Sequence, residues 1–274
     1  MNPDERRQYT ESNREAWNEV MPLHRRAAAA KWDEFFARPG AVCFDDVELE
    51  PLQRIGVEGR AVAHLCCNNG VELLSLRNMG AGECVGFDIS DEAVAEARER
   101  ATRFRIDCRF VQSDVYDIDD SYSGRFDLVY ISAGCLGWMP DVGRFLAKAA
   151  ALLRSGGRVF IREIHPVSEM LPFDGDDAPD VLRIVGPYFK KEPYVEKGGL
   201  DYVGRTEYEG DATQYWFVHT MSDIMTGLIG SGLAIELFRE DATDVSAGHA
   251  RVEAANAGIP LSYILIARKP LPAR

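Results

Sequence analysis

The sequence predicts an α/β fold: a seven-stranded, mostly parallel sheet with helices on both faces, an N-terminal helical lid and an inserted β-rich cap. Three observations predict it. Short apolar runs and amphipathic segments alternate about five times between residues 61 and 164, the pattern of a parallel sheet covered on both sides. The first sixty residues carry helical spacing instead. Residues 166–215 interrupt the alternation, after which helix and strand patterns resume. The expected divisions are a lid over 1–55, the core over 56–165, the cap over 166–219 and the completion of the core over 220–274.

Each element has its own signal. Tyr9, Asn13, Ala16, Trp17 and Val20 share one helical face, and Met21-Pro22 should break that helix. A second helix runs through Ala27–Ala30 to Phe36 and ends at Pro39-Gly40. Strands are expected over 61–66, 83–88 and 126–131, with Arg109–Val111 inside a further one. Helices lie between them. One covers 71–79, and one is capped by Ser90 with Asp91 and Glu92 in its first turn. Another is capped by Asp141 and stopped by Gly156-Gly157, before a strand over 158–164. The interruption is rich in aromatics (Tyr188, Phe189, Tyr194, Tyr202, Tyr208, Tyr215, Trp216 and Phe217), which suits a cap over the strand ends. Thr220 and Asp223 then form a capping box, with Ile224, Leu228 and Ile229 facing inward and Gly232 ending the helix. The last two strands are expected over 233–238 and 262–267.

Composition narrows the function. The 274 residues are 46% hydrophobic and 27% charged, ordinary for a globular chain. The net charge of −13 repels phosphate backbones and argues against a nucleic-acid partner. No apolar run reaches the ~18 residues of a membrane span. The N-terminus lacks the apolar core of a secretory signal. Cys43, Cys66, Cys67, Cys84, Cys108 and Cys135 show neither CxxC nor zinc spacing, so the chain is read as cytoplasmic and reduced. A vicinal Cys66–Cys67 redox pair is the alternative to plain packing. Homodimerisation stays open.

The informative stretch runs from Ala61 to Ser90. A strand enters a tight loop, Cys67-Asn68-Asn69-Gly70, a helix follows, and a second strand ends in Asp88, 18 residues after Gly70. An acid there can accept from both hydroxyls of a ribose. One glycine is too few for the bare backbone that a pyrophosphate needs, so the ligand expected is a nucleoside without phosphate. At this point the chain resembles the class I S-adenosylmethionine-dependent methyltransferases, over roughly 55–165 and 220–268. His64 stands where that family usually has an acid, and Cys66 and Asn68 stand where it usually has glycines. Asp88 resembles the ribose acid, Ser113-Asp114-Val115 the adenine motif, and Ser132-Ala133-Gly134 the loop beside the methionine part. YTESNREAWNE and WFVHTMSDIMTGL resemble a bacterial subgroup acting on small molecules.

The resemblance implies a Rossmann-like core, S-adenosylmethionine as cofactor, and a cofactor site of Cys66, Asn68, Gly70, Asp88, Ile89, Ser113, Asp114, Val115, Ser132, Ala133 and Trp17. It implies methyl transfer to a small acceptor. The aromatic cap points to an indole- or phenol-like one, because flat rings are oriented by stacking. Such an acceptor needs a base, and His165, His219 and Tyr9 are the candidates. His165 is the first choice because it follows the fifth strand directly. Trp138, His24, Tyr188 and Trp216 are candidate acceptor contacts. His64 is expected to be structural within its loop, and His249 to lie on the surface. A metal on Glu163, His165 and His219 is weighed, and none is expected. The competing readings are a methyltransferase acting on tRNA or protein, and an NAD-linked oxidoreductase.

Overall fold

A computed structural model describes residues 1–198, 200, 203–204, 208 and 210–272. Tyr202, one of the cap aromatics, lies outside the described residues. Helix α1 (Pro3–Phe36) opens the chain and α2 (Asp46–Ile55) follows. The core is β1 (Val62–Leu65), α3 (Val71–Asn78), β2 (Cys84–Asp88), α4 (Asp91–Phe104), β3 (Arg109–Gln112), β4 (Phe126–Ile131), α5 (Val142–Leu152) and β5 (Leu153–Ile164). After the insertion, which carries β6 (Tyr194–Lys197) and β7 (Thr213–Trp216), come α6 (Met221–Gly230), β8 (Ala234–Asp241), α7 (Ala250–Ala254) and β9 (Ser262–Arg268).

The seven-stranded sheet has the order β3-β2-β1-β4-β5-β9-β8. The first five strands are parallel, and β9 lies antiparallel between β5 and β8. Strand alternation divides the core into two layers. Ala63, Leu65, Phe87, Val129, Ile131 and Ile161 pack under α5 and α6. Val62, Phe110, Leu128, Tyr130, Phe160 and Ile264 pack under α2, α3 and α4. Each fully buried large side chain contributes about 1.5–3 kcal/mol by leaving water. The helix starts are capped as their sequences require: Asp45 accepts from Glu48 N, Ser90 from Ala93 N and Asp141 from Arg144 N, and Thr220 with Asp223 closes a capping box.

Several elements differ from the sequence expectation. Pro22 sits inside α1 without ending it. The ring is exposed, and α1 is held on either side of it by packing against α4 and β7. Helix α5 stops at Leu152, before Gly156-Gly157, because Leu153 already pairs with Phe126 of β4. Ile229 is 62% exposed rather than inward-facing. The insertion is less β-rich than expected: among its described residues the strands are one antiparallel ribbon, β6 with β7. The short helix α7 was carried by no sequence signal.

Candidate active site

One cavity of about 1350 Å³ opens at the carboxyl ends of the parallel strands. It exceeds the ~300–1,000 Å³ usual for one small ligand. Cys66 after β1, Asp88 and Ile89 after β2, Ser113, Asp114 and Val115 after β3, and Ser132, Ala133 and Gly134 after β4 line one half. Ile164 at the end of β5, Glu169, Leu171, Tyr194 and Trp216 line the other, with Trp138 beside them. Helix α1 contributes Thr10, Asn13, Trp17 and His24 to the same wall.

The β1–α3 loop makes the cradle. Cys66, Asn68 and Gly70 have φ of +54°, +45° and +81°, so the backbone turns left-handed three times although one of the three is glycine. Gly70 is fixed by packing as well, since a Cβ there would lie 2.7 Å from the Phe110 ring. Asn69 N donates to Asn68 Oδ1 at 2.6 Å, and the buried Arg100 donates to Asn69 O at 2.5 Å. Asp88 closes the loop: Oδ2 accepts from Asn68 N at 2.7 Å and Oδ1 from Ser90 N at 2.9 Å. Burial raises the Asp88 pKa, opposed by the backbone donors of Ser90 and Asn68. Across the cleft Asp114 Oδ1 accepts from Tyr116 N at 3.0 Å, and its Oδ2 from the Thr10 hydroxyl of α1 at 2.7 Å.

The β4 loop is held from beneath. Glu163 is buried and accepts from Gly134 N at 2.5 Å, Leu136 N at 2.8 Å and Ile164 N at 2.8 Å. Burial pushes its pKa up to about 7 against those backbone donors. His64 reaches beyond its own loop to share a 3.0 Å hydrogen bond with Ser132 Oγ. Desolvation lowers the pKa of this imidazole to about 3, so it stays neutral.

Comparisons with known proteins bear on this architecture. Residues 62–157 match a methyltransferase domain family. The strand order carries an antiparallel β9 between β5 and β8 beside five parallel strands. An S-adenosylmethionine dependent methyltransferase from Mesorhizobium loti superposes with a TM-score of 0.59 at 23% identity, covering 81% of this chain and 97% of that one. Residues 62–157 therefore carry a methyltransferase domain, within a fold shared with S-adenosylmethionine-dependent methyltransferases. A ubiquinone biosynthesis O-methyltransferase of Alkalilimnicola ehrlichii is 27% identical over 146 residues, covering 51% of this chain and 57% of that protein. An rRNA N(6)-adenosine-methyltransferase of Danio rerio is 35% identical over 77 residues, covering 28% and 37%. The chain thus spans about half or less of the length of these curated relatives.

The methyltransferase cradle fits the family's cofactor. Asp88 is a cleft carboxylate with lone pairs left after two backbone bonds, suited to a vicinal diol. The loop over 66–70 holds one glycine, Gly70, and so offers no stretch of bare backbone to a pyrophosphate. Ten of the eleven residues expected at the cofactor line the cavity; Gly70 instead shapes the loop from behind. Trp138, His24 and Trp216 also line it. His24 donates from Nε2 to Leu200 O at 3.0 Å, so it ties α1 to the insertion. A Cβ on Gly137 would collide with the Trp216 ring, so this glycine lets Trp216 form a wall.

The expected bases are placed elsewhere. His165 does not line the cavity, whereas Ile164 does: a strand's alternate residues face opposite ways, and the sequence expectation was one residue out. Nδ1 of His165 accepts from Val167 N at 3.2 Å and Nε2 lies 3.1 Å from Glu240 of β8. Burial lowers its pKa and Glu240 raises it. His219 donates from Nε2 to Met139 O at 2.8 Å and stacks on Phe217, which makes it a loop tie. Tyr9 packs edge-on against Tyr215 and Phe217, at 4.8 and 5.3 Å between ring centroids, outside the cavity lining. Tyr188 accepts from Met221 N at the start of α6 and is also outside it. Among the described residues no three His, Cys, Asp or Glu side chains, Glu163, His165 and His219 included, are grouped so as to hold a metal ion. His249, expected on the surface, is buried in the cavity lining, its ring tilted against Phe173 at 4.8 Å between centroids.

Sequence reasoning missed Glu169. It sits on a short turn after β5, is 9% exposed, and lines the cavity. Burial raises its pKa to about 7, opposed by the Trp216 side chain. No local pattern announced it, since the turn's burial depends on β7, far along the chain.

Proposed function

We propose that this chain transfers the methyl group of S-adenosylmethionine to a small, flat, aromatic or heteroaromatic acceptor. The observation that carries the reading is one continuous cavity joining the β1–β4 cradle to a chamber walled by Trp17, Trp138 and Trp216. When bound, the cofactor supplies an electrophilic methyl on a sulfonium. Asp88 would hold the ribose, Asp114 with Thr10 the adenine end, and the Ser132–Gly134 loop the methionine part. Cys66, Asn68, Ile89, Ser113, Val115, Ala133 and Trp17 complete the cofactor wall, and Gly70 keeps its shape. The tryptophans orient the acceptor and exclude water, and alignment of this kind is worth several kcal/mol of barrier.

The curated relatives act on acceptors as different as a ubiquinone precursor and rRNA by their names, so the acceptor is argued from this cavity. Its described lining holds seven carboxylates (Glu72, Asp88, Asp114, Glu169, Asp174, Asp176 and Glu196) against one lysine, Lys31. That charge disfavours RNA and favours a neutral or cationic small molecule. No helix among the described residues is long and apolar enough to cross a membrane. Six free cysteines agree with a reducing, cytoplasmic setting.

Calorimetric titration tests the cofactor. Micromolar binding of S-adenosylmethionine and S-adenosylhomocysteine is expected, with none of NAD, and Asp88→Ala should lose about 100-fold as charge-assisted bonds disappear. NAD binding alone, or full affinity in D88A, overturns the assignment. Incubating the protein with methyl-labelled cofactor and lysate fractions then separates acceptors: label in RNA or protein rather than small molecules refutes the acceptor class.

A further inference from the structure

The acceptor half of the cavity combines three features that the family resemblance does not require. Trp138 and Trp216 meet edge-to-face with ring centroids 5.0 Å apart, and Trp17 continues the wall at 5.3 Å from Trp138. Glu169 lines the same cavity, is 9% exposed, and is influenced by the Trp216 side chain. Tyr194 of β6 lines the same space and feels the Glu169 charge. A carboxylate behind aromatic faces is the arrangement that holds an organic cation, through charge pairing and the negative faces of the rings.

We propose that Glu169 and the tryptophan wall bind a cationic nitrogen of the acceptor, which is therefore an arylalkylamine or a related ring-bearing ammonium. The inference rests on the cofactor-plus-acceptor reading of the cavity and names the acceptor's chemical class. Burying a carboxylate is costly, and among the described residues what acts on this one is burial and the Trp216 side chain, with no lysine or arginine beside it. A ligand cation supplies the missing partner. An ammonium paired with Glu169 keeps its proton and has no lone pair to give, so it anchors the molecule while another atom of the acceptor receives the methyl group. Glu169 is on this view a binding residue and not the base.

The test uses three probes of one shape: benzylamine, benzyl alcohol and benzoate. Each is titrated calorimetrically into the full chain, with and without S-adenosylhomocysteine. Benzylamine should bind at least tenfold more tightly than the other two. Glu169→Gln should bring it within about twofold of the alcohol, while the affinity for S-adenosylhomocysteine is unchanged. Trp138→Leu, which keeps the carboxylate, should weaken benzylamine several-fold and guards against a folding defect in E169Q. Benzoate binding as well as benzylamine, or an undiminished amine preference in folded E169Q, overturns the proposal. If the amine preference holds while S-adenosylhomocysteine fails to bind, the cofactor reading falls and the cation site stands.

Discussion

Cys66 and Asn68 carry left-handed backbone at positions where the family uses glycine. Asparagine tolerates that region because its side chain can bond locally, as it does here to Asn69 N. Cysteine has no such compensation and stores about 1–2 kcal/mol. Cys66→Gly should therefore keep the fold and the cofactor affinity with an unchanged or higher Tm. Cys66→Val, β-branched at the same φ, should lose about 1–2 kcal/mol in denaturant unfolding; equal stability of the two variants would show that the loop is not under that constraint. These residues also mark what was legible. The order of cleft acids, Asp88 then Asp114, could be read from strand ends, because a parallel sheet delivers them to one edge. The left-handed turns could not, because the glycine signature was absent. Neither could Glu169 or His249, whose burial comes from contacts far along the chain.

At the scale of elements, α1 is a strap between two parts of the molecule. Asn13 donates from Nδ2 to Tyr215 O at 3.0 Å and accepts from Tyr215 N at 2.7 Å, so one side chain pairs with β7 as a neighbouring strand would. Ser12 donates to Thr213 O at 2.6 Å. Towards the core, Arg14 and Asn18 bond Asp91, and Thr10 bonds Asp114. The Tyr9–Val20 stripe was readable from its spacing, but its target was not: it faces β7 and the cavity more than the sheet. The break expected at Pro22 failed because packing on both sides outweighs the roughly 3 kcal/mol that an interior proline costs. Asn13→Ala should leave Tyr215's backbone groups unpaired and cost about 1–3 kcal/mol. Limited proteolysis should then cut within α1 sooner than in the unaltered protein, and an unchanged digestion rate would deny α1 its tie to β7.

For the whole molecule, the cavity wall is shared by the β1–β4 loops, α1 and the insertion, so a ligand there bridges all three. S-adenosylhomocysteine at 100 times its dissociation constant should add about 2.7 kcal/mol of stability. For a chain of this size that raises Tm by roughly 5–10 °C. Hydrogen exchange should slow in α1 as well as in the core loops; protection confined to the loops would mean that α1 takes no part in holding the ligand. The two-layer core was the most legible part of the fold, since strand alternation and helical stripes are local signals. The antiparallel placement of β9 was not, because nothing in Ser262–Arg268 distinguishes it from a parallel strand. That placement sets a timetable for synthesis. β9 follows every other strand in sequence yet lies between β5 and β8, and β8 pairs with nothing else in the sheet. A chain emerging from the ribosome can assemble β1 to β5 early, but β5 keeps a bare edge, and β8 has no place to dock, until residues 262–268 have left the exit tunnel. The nascent chain therefore carries an unprotected strand edge until β9 arrives, and in that interval it is most open to mispairing and to chaperones.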